Sequence, residues 1–359
     1  MAVFLQPSGS TRAQEPEVSL QRQKEPKPNW SALLNIDQIF SAYTLAPDSR
    51  LLTYNPTYIL SFTSVLGYRL PEHPWRFDAR AIMDTEVTDS DVRTTENEIW
   101  FYDTRLRAFY DGIPSFAGFR VSPAFRVNLP TSRTSRSAKR YFSAGGQLSV
   151  SRAFDVLRGL SLTGVAIYDR WVAGSNVPTE GFEQQACPSN RPDCRGGFGT
   201  ARDNVVAGMM INLSPLPRLS LNAMFFAFWS FTHPLGSITL GAKDGILGAP
   251  VELDSVRYTR FFTTFNVGAS YAINGYLTAA VNMTTLASEF DTDGSRNNPI
   301  FNEETFFTLT FSVSADGLYM HVRGQEGEGS RNTNANAVAS ASPSTVHPLE
   351  AGPQSTGAI

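Results

Sequence analysis

Three stretches carry most of the charge that could do chemistry. In "WRFDARAIMDTEV" (75–87), Arg76, Asp78, Arg80, Asp84 and Glu86 share one parity, while Trp75, Phe77, Ala79, Ala81, Met83 and Val87 share the other. The segment "EIWFYDTRLRAFYD" (98–111) adds Asp103, Arg105 and Arg107, and residues 116–129 add Arg120 and Arg126. A period of two means β-strands with one charged face and one apolar face. Acids and bases on one face of neighbouring strands can serve two ends. Facing water, they set a field that selects permeants by charge. Packed together, they form a salt-bridge network that holds a narrow interior in shape. The residue types alone allow both.

Other reactive side chains are sparse. His73, His233, His321 and His347 do not cluster at metal-ligand spacing, so no metal site is expected. A serine nucleophile needs a histidine base within reach. Only His233, in "FWSFTHPLG", falls near an expected rim, and Ser230 and Ser237 lack a matching spacing. The chain reads as a non-enzyme with no cofactor. Cys187 and Cys194 flank "PSNRPD", a run of turn formers, and are expected to form a local disulfide.

The elements that must position these residues follow from the same alternation. It recurs in segments 53–69, 75–88, 98–111, 116–129, 141–154, 160–172, 203–213, 218–231, 257–272, 275–290 and 304–314. Tight connections (71–74, 112–115, 155–159, 214–218, 273–275) alternate with longer ones (89–97, 130–140, 173–202, 232–256, 291–303). A meander with all its long loops at one end is the signature of a transmembrane barrel. Residues 30–46 supply the twelfth strand, making the count even. The competing reading there is a short helix capped by Asn29. No run approaches the roughly 18 apolar residues of a membrane helix. The net charge of −3 argues against a nucleic-acid partner.

Aromatic residues decide which face meets lipid. Tyr54, Tyr58, Leu60, Phe62, Leu66 and Tyr68 share one parity of their strand; Trp100, Tyr102, Leu106, Ala108 and Tyr110 share one parity of theirs. Tyr and Trp near the ends with small or apolar residues between them fit two interfacial girdles. Tyr54, Tyr68, Trp75, Trp100, Tyr102 and Tyr110 are therefore assigned to an outward aromatic girdle. The charged parity then points inward. The opposite interior wall reads as neutral, with Gln147, Ser149, Ser151, Thr264, Asn266, Ser270, Thr278, Asn282, Thr284, Thr308 and Thr310.

Over residues 33–314 the sequence resembles the bacterial outer-membrane β-barrel superfamily, porin-like, with about twelve strands. The last strand, "TFFTLTFSVS" (305–314), resembles the aromatic-alternating signal read by the barrel-insertion machinery, although a polar tail follows it. The resemblance implies an all-β, antiparallel up-and-down barrel integral to a Gram-negative-type outer membrane. Short periplasmic turns, long extracellular loops and periplasmic termini come with it. Its partners would be membrane lipid, lipopolysaccharide beside Arg133, Arg136, Lys139 and Arg140, and a small solute. Residues 1–29 read as a signal remnant or a disordered lead-in, 30–315 as the barrel, and 316–359 as a disordered tail. The expected function is a channel or transporter for small polar or charged solutes. The alternative is a closed structural or surface-binding barrel acting through its outer loops.

Overall fold

The computed structural model describes residues 28–42, 57–88, 99–156, 159–176, 200–233, 238–240, 251–253, 259–288, 296, 298–302 and 304–323. The strands are β1 (Trp30–Ser41), β2 (Tyr58–Arg69), β3 (Trp75–Glu86), β4 (Ile99–Phe101), β5 (Thr104–Tyr110), β6 (Phe119–Leu129), β7 (Arg140–Phe154) and β8 (Leu160–Ala173). They continue as β9 (Ala201–Leu216), β10 (Leu219–Thr232), β11 (Ile238–Leu240), β12 (Val251–Leu253), β13 (Thr259–Ala272), β14 (Leu277–Ser288) and β15 (Thr305–Ser314). Every barrel pairing is antiparallel and joins neighbours along the chain. The first stave meets the last through Asp37↔Thr310 in β1 and β15. The sheet therefore closes on itself and leaves no edge.

Residues 30–41 are a strand rather than a helix. They fill the gap that would otherwise leave β2 and β15 as open edges. β4 and β5 both pair with β3 and make one stave, so the barrel has twelve. β11 and β12 form a separate ribbon between β10 and β13. A 12-residue stave such as β3, rising about 3.3 Å per residue at a tilt near 40°, covers about 30 Å along the axis, the thickness of a bilayer core. Links alternate in length around the barrel. Strand ends on one side of the barrel are connected by the short links 70–74, 111–118, 155–159, 217–218 and 273–276, and strand ends on the other side by the longer links 42–57, 87–98, 130–139, 174–200, 233–258 and 289–304.

The chain departs from plain alternation in the β4–β5 stave. Arg80 pairs with Arg105 and Met83 with Phe101, so two residues of β3 face three of the partner. This extra residue at Tyr102–Asp103 is a β-bulge, and it reverses parity on the far side. Trp100, paired with Asp84, points inward, and the Tyr102 hydroxyl donates to Asp84 Oδ2 at 2.8 Å. The girdle assignment of these two aromatics is therefore corrected. Ile99 and Phe101 take the outward places, each 58% exposed.

The expected tail also begins differently. Residues Ala315–Val322 form a helix whose first turn is capped by Ser314, which accepts from the Gly317 amide. Tyr319 meets Trp30 edge-on at 5.9 Å, so the helix seals the seam beside β1. Tyr54, Cys187 and Cys194 lie outside the described residues.

Candidate functional site: the charged interior wall

The register of the staves arranges the interior charges in transverse rows. One row runs Asp78 (β3), Arg107 (β5), Arg126 (β6), Gly145 (β7), Asp169 (β8). Arg107 grips Asp78 with two bonds, Nε to Oδ1 and Nη2 to Oδ2, both 2.8 Å. Arg126 reaches Asp169 at 3.2 Å across the β7 stave. Glycine suits position 145 because a Cβ there would run into the Tyr168 carbonyl of the neighbouring stave and lie 2.6 Å from Asp169 Oδ1. The row holds two arginines and two aspartates, so it is balanced.

The next row runs Val65 (β2), Arg80 (β3), Arg105 (β5), Asn128 (β6), Ser143 (β7), Trp171 (β8). It holds two arginines and no carboxylate. Arg80 lies within electrostatic reach of Asp37 and Asp78. Arg105 donates once, from Nε to Asn128 Oδ1 at 2.9 Å, and has no ion pair among the described residues. Its charged neighbours are Arg126, Arg80, Arg107 and Asp169. Two of these, Arg126 and Asp169, already bond each other, and Arg107 holds Asp78. Arg105 is the surplus cation of the wall.

Toward the short-turn end the remaining arginines gather. Asp111 accepts from Ser122 at 2.9 Å and faces Arg120 at 3.2 Å and Arg69 and Arg76 at 3.8 Å. Arg76 and Arg107 flank the Phe109 ring, with guanidinium carbons 4.3 and 5.0 Å from its centre. Arg120 thus sits at the mouth rather than mid-wall. At the long-loop end, Asp84 and Glu86 are buried. Asp103 leaves the wall altogether. Its carboxylate accepts from the Ser132 amide at 2.9 Å and from the Ser135 hydroxyl, tying the bulge to the 130–139 link. Arg140 also turns inward, over the Trp171 ring at 4.6 Å.

Sequence reasoning missed Asp37, Asp111 and Asp169. Asp169 shares its parity with Val165, Ile167 and Trp171, whereas Tyr168 and Arg170 take the other, so the β8 pattern does not show which face is inner. The far wall also differs from expectation. The hydroxyl and amide residues are there, but Ile167, Val206, Met210, Met224, Phe226 and Phe228 form an apolar patch among them. Phe226 packs over its register partner Gly208, where a Cβ would meet the Phe225 carbonyl and lie 2.5 Å from the Phe226 ring.

The exterior is the converse. Leu66, Phe125, Met209 and Val281 stand outward, each more than half exposed, while Thr63, Glu86 and Arg80 inside are almost wholly buried. Trp30, Tyr68, Trp75, Tyr110 and Tyr271 ring the short-turn end. Apolar outside and charged inside inverts a soluble protein. The fold is a transmembrane β-barrel. His233, just past β10, has no partner for Nε2 among the described residues, and burial together with Arg202 holds its imidazole below the ordinary 6.5.

No protein-family profile matches the chain, and no curated protein matches it. Solved structures with a similar outline are outer-membrane barrels. An outer membrane channel from Pseudomonas putida F1 aligns with a TM-score of 0.43 at 12% identity, over 81% of this chain and 98% of that one. The KdgM porin in complex with oligogalacturonate aligns at 0.37 and 8%, over 78% and 98%. The Pseudomonas putida toluene transporter TodX aligns at 0.31 and 13%, over 80% and 89%.

Proposed function

We propose that the protein is an integral outer-membrane channel for small polar or charged solutes, with a cationic inner wall that favours anions. The observation that carries this is Arg105. A mid-barrel guanidinium with no carboxylate partner among the described residues, beside a balanced Asp–Arg row, leaves net positive charge facing the interior. A fixed charge beside a narrow water path biases permeation toward the opposite sign. β1 begins and β15 ends at the short-turn end, which is the periplasmic end in this reading. The long links then face outward, Arg133, Arg136 and Lys139 beside lipopolysaccharide phosphates, with Cys187 joined to Cys194 in one of them. Maleimide reacting with intact cells only after reduction supports that loop assignment; labelling only after the membrane is ruptured contradicts it.

A second reading has its own support. Arg80, Arg126 and Phe226 are nearly inaccessible, as in a filled barrel. Swelling of liposomes bearing the full chain separates the two. A channel admits glycine or small carboxylates within seconds, whereas a closed barrel leaves the vesicles as tight as protein-free ones.

A further inference from the structure

We infer that the barrel interior binds an organic monoanion with an apolar body, such as an aromatic carboxylate. The carboxylate would meet Arg105 and the apolar body would lie against the Phe228–Phe262 pair. This rests on the reading of the interior as solute-accessible and names the class of solute it takes.

Three observations converge on this amphipathic site. The first is the guanidinium itself. Arg105 spends only Nε on the protein, on Asn128. Its terminal nitrogens have no partner among the described residues, yet they are not among the sealed polar atoms, unlike Nε of Arg76, Arg80 and Arg126. On an inward-facing position they open into the interior. Two parallel N–H donors fit one carboxylate in fork geometry.

The second observation is what lies opposite. From β5 the sheet runs through β6, β7, β8, β9 and β10 to β13, half-way round a twelve-stave barrel. Phe262 of β13 stacks on Phe228 of β10, with centroids 4.5 Å apart and planes at 10°. Both are inward and partly exposed, whereas Phe226 beside them is buried over Gly208. The stacked pair therefore offers an aromatic face to whatever occupies the interior. Val206 and Ile167 extend that surface along the same register row.

The third is chemical economy. An inorganic anion would gain nothing from the aromatic wall, and a neutral hydrocarbon nothing from Arg105. Only a solute with both parts uses both walls, since burying an apolar ring and pairing a carboxylate are separate, additive sources of affinity.

The test is equilibrium binding to the full chain folded in detergent, with benzoate, acetate and benzyl alcohol as probes, followed by calorimetry. Benzoate should bind at least about tenfold more tightly than either acetate or benzyl alcohol, the scale of one lost charge-assisted bond or one lost ring contact. Arg105→Gln should abolish the preference for benzoate over benzyl alcohol. Phe228→Leu should abolish the preference over acetate, and Arg105→Lys should keep part of the first. Heat-modifiable migration on gels confirms that each variant is folded; if Arg105→Gln does not fold, Arg105→Lys and Phe228→Leu carry the test. Equal binding of benzoate and acetate by the native protein overturns the inference, as does unchanged benzoate binding in Arg105→Gln. Binding as stated but without solute flux through liposomes would keep the site and sink the channel reading. Flux without selective binding would do the reverse.

Discussion

Replacing Asp169 by Leu should destabilise the barrel more than any other single change on the charged wall. Arg126 and Asp169 meet at 3.2 Å with side chains only 4% and 10% exposed, so the pair is held largely out of water. Removing one partner of such a pair costs about 3 to 5 kcal/mol, because a charge is left buried alone. Around 4 kcal/mol is roughly a thousandfold in the folded-to-unfolded ratio. The double variant Arg126→Met/Asp169→Leu removes both charges at similar volume and should cost little, or even stabilise. The assay is urea unfolding in phospholipid vesicles, followed by tryptophan fluorescence, for the native chain, both single variants and the double variant. A loss under about 1 kcal/mol in Asp169→Leu is the value expected of a water-screened pair. It would refute the argument, because the row would then lie in open solvent rather than in a packed wall.

The other predictions address facing, the bulge and the rim. Leu106→Arg, on the outward parity beside Ala79, should cost about 2 to 4 kcal/mol if that face meets lipid; no loss in vesicle unfolding would reverse the facing. Tyr102→Phe removes the 2.8 Å bond to the buried Asp84 and should cost about 1 to 3 kcal/mol, whereas a residue lying in a lipid girdle would be indifferent to losing its hydroxyl. Gly145→Ala should destabilise the barrel and slow its folding, as its methyl overlaps the Tyr168 carbonyl and approaches Asp169; a fully stable variant would contradict the close approach of β7 and β8 there. His233 has its folded pKa below 6.5, so the unfolded chain takes up the proton first. Its contribution to stability is present above pH 6.5 and lost as pH falls, and His233→Gln should flatten that part of the stability–pH curve, read by unfolding at pH 5 to 8.

Strand alternation made most of the barrel legible, because side-chain parity survives without knowledge of partners. In the register, Arg76, Asp78 and Arg80 of β3 share one face with Arg105 and Arg107 of β5 and Arg126 of β6. Local alternation could not reveal the bulge at Tyr102–Asp103, whose effect on Trp100 and Tyr102 appears only when the register with β3 is known. Nor could it orient β8, where Asp169 shares a face with Val165 and Ile167 and the outer face carries Tyr168 and Arg170. In that stave the interior is nearly as apolar as the exterior, so hydrophobicity carries no sign. The row imbalance that singles out Arg105 is also invisible in the chain, since it depends on which residues six staves place side by side.

The most direct test of the central claim is the reversal potential of single channels in a planar bilayer under a potassium chloride gradient. Discrete conductance steps are expected, with chloride preferred over potassium and a shift toward potassium in Arg105→Gln with folding intact. A cation-preferring native channel, selectivity unchanged by Arg105→Gln, or no steps at all from a folded, inserted barrel would contradict the claim.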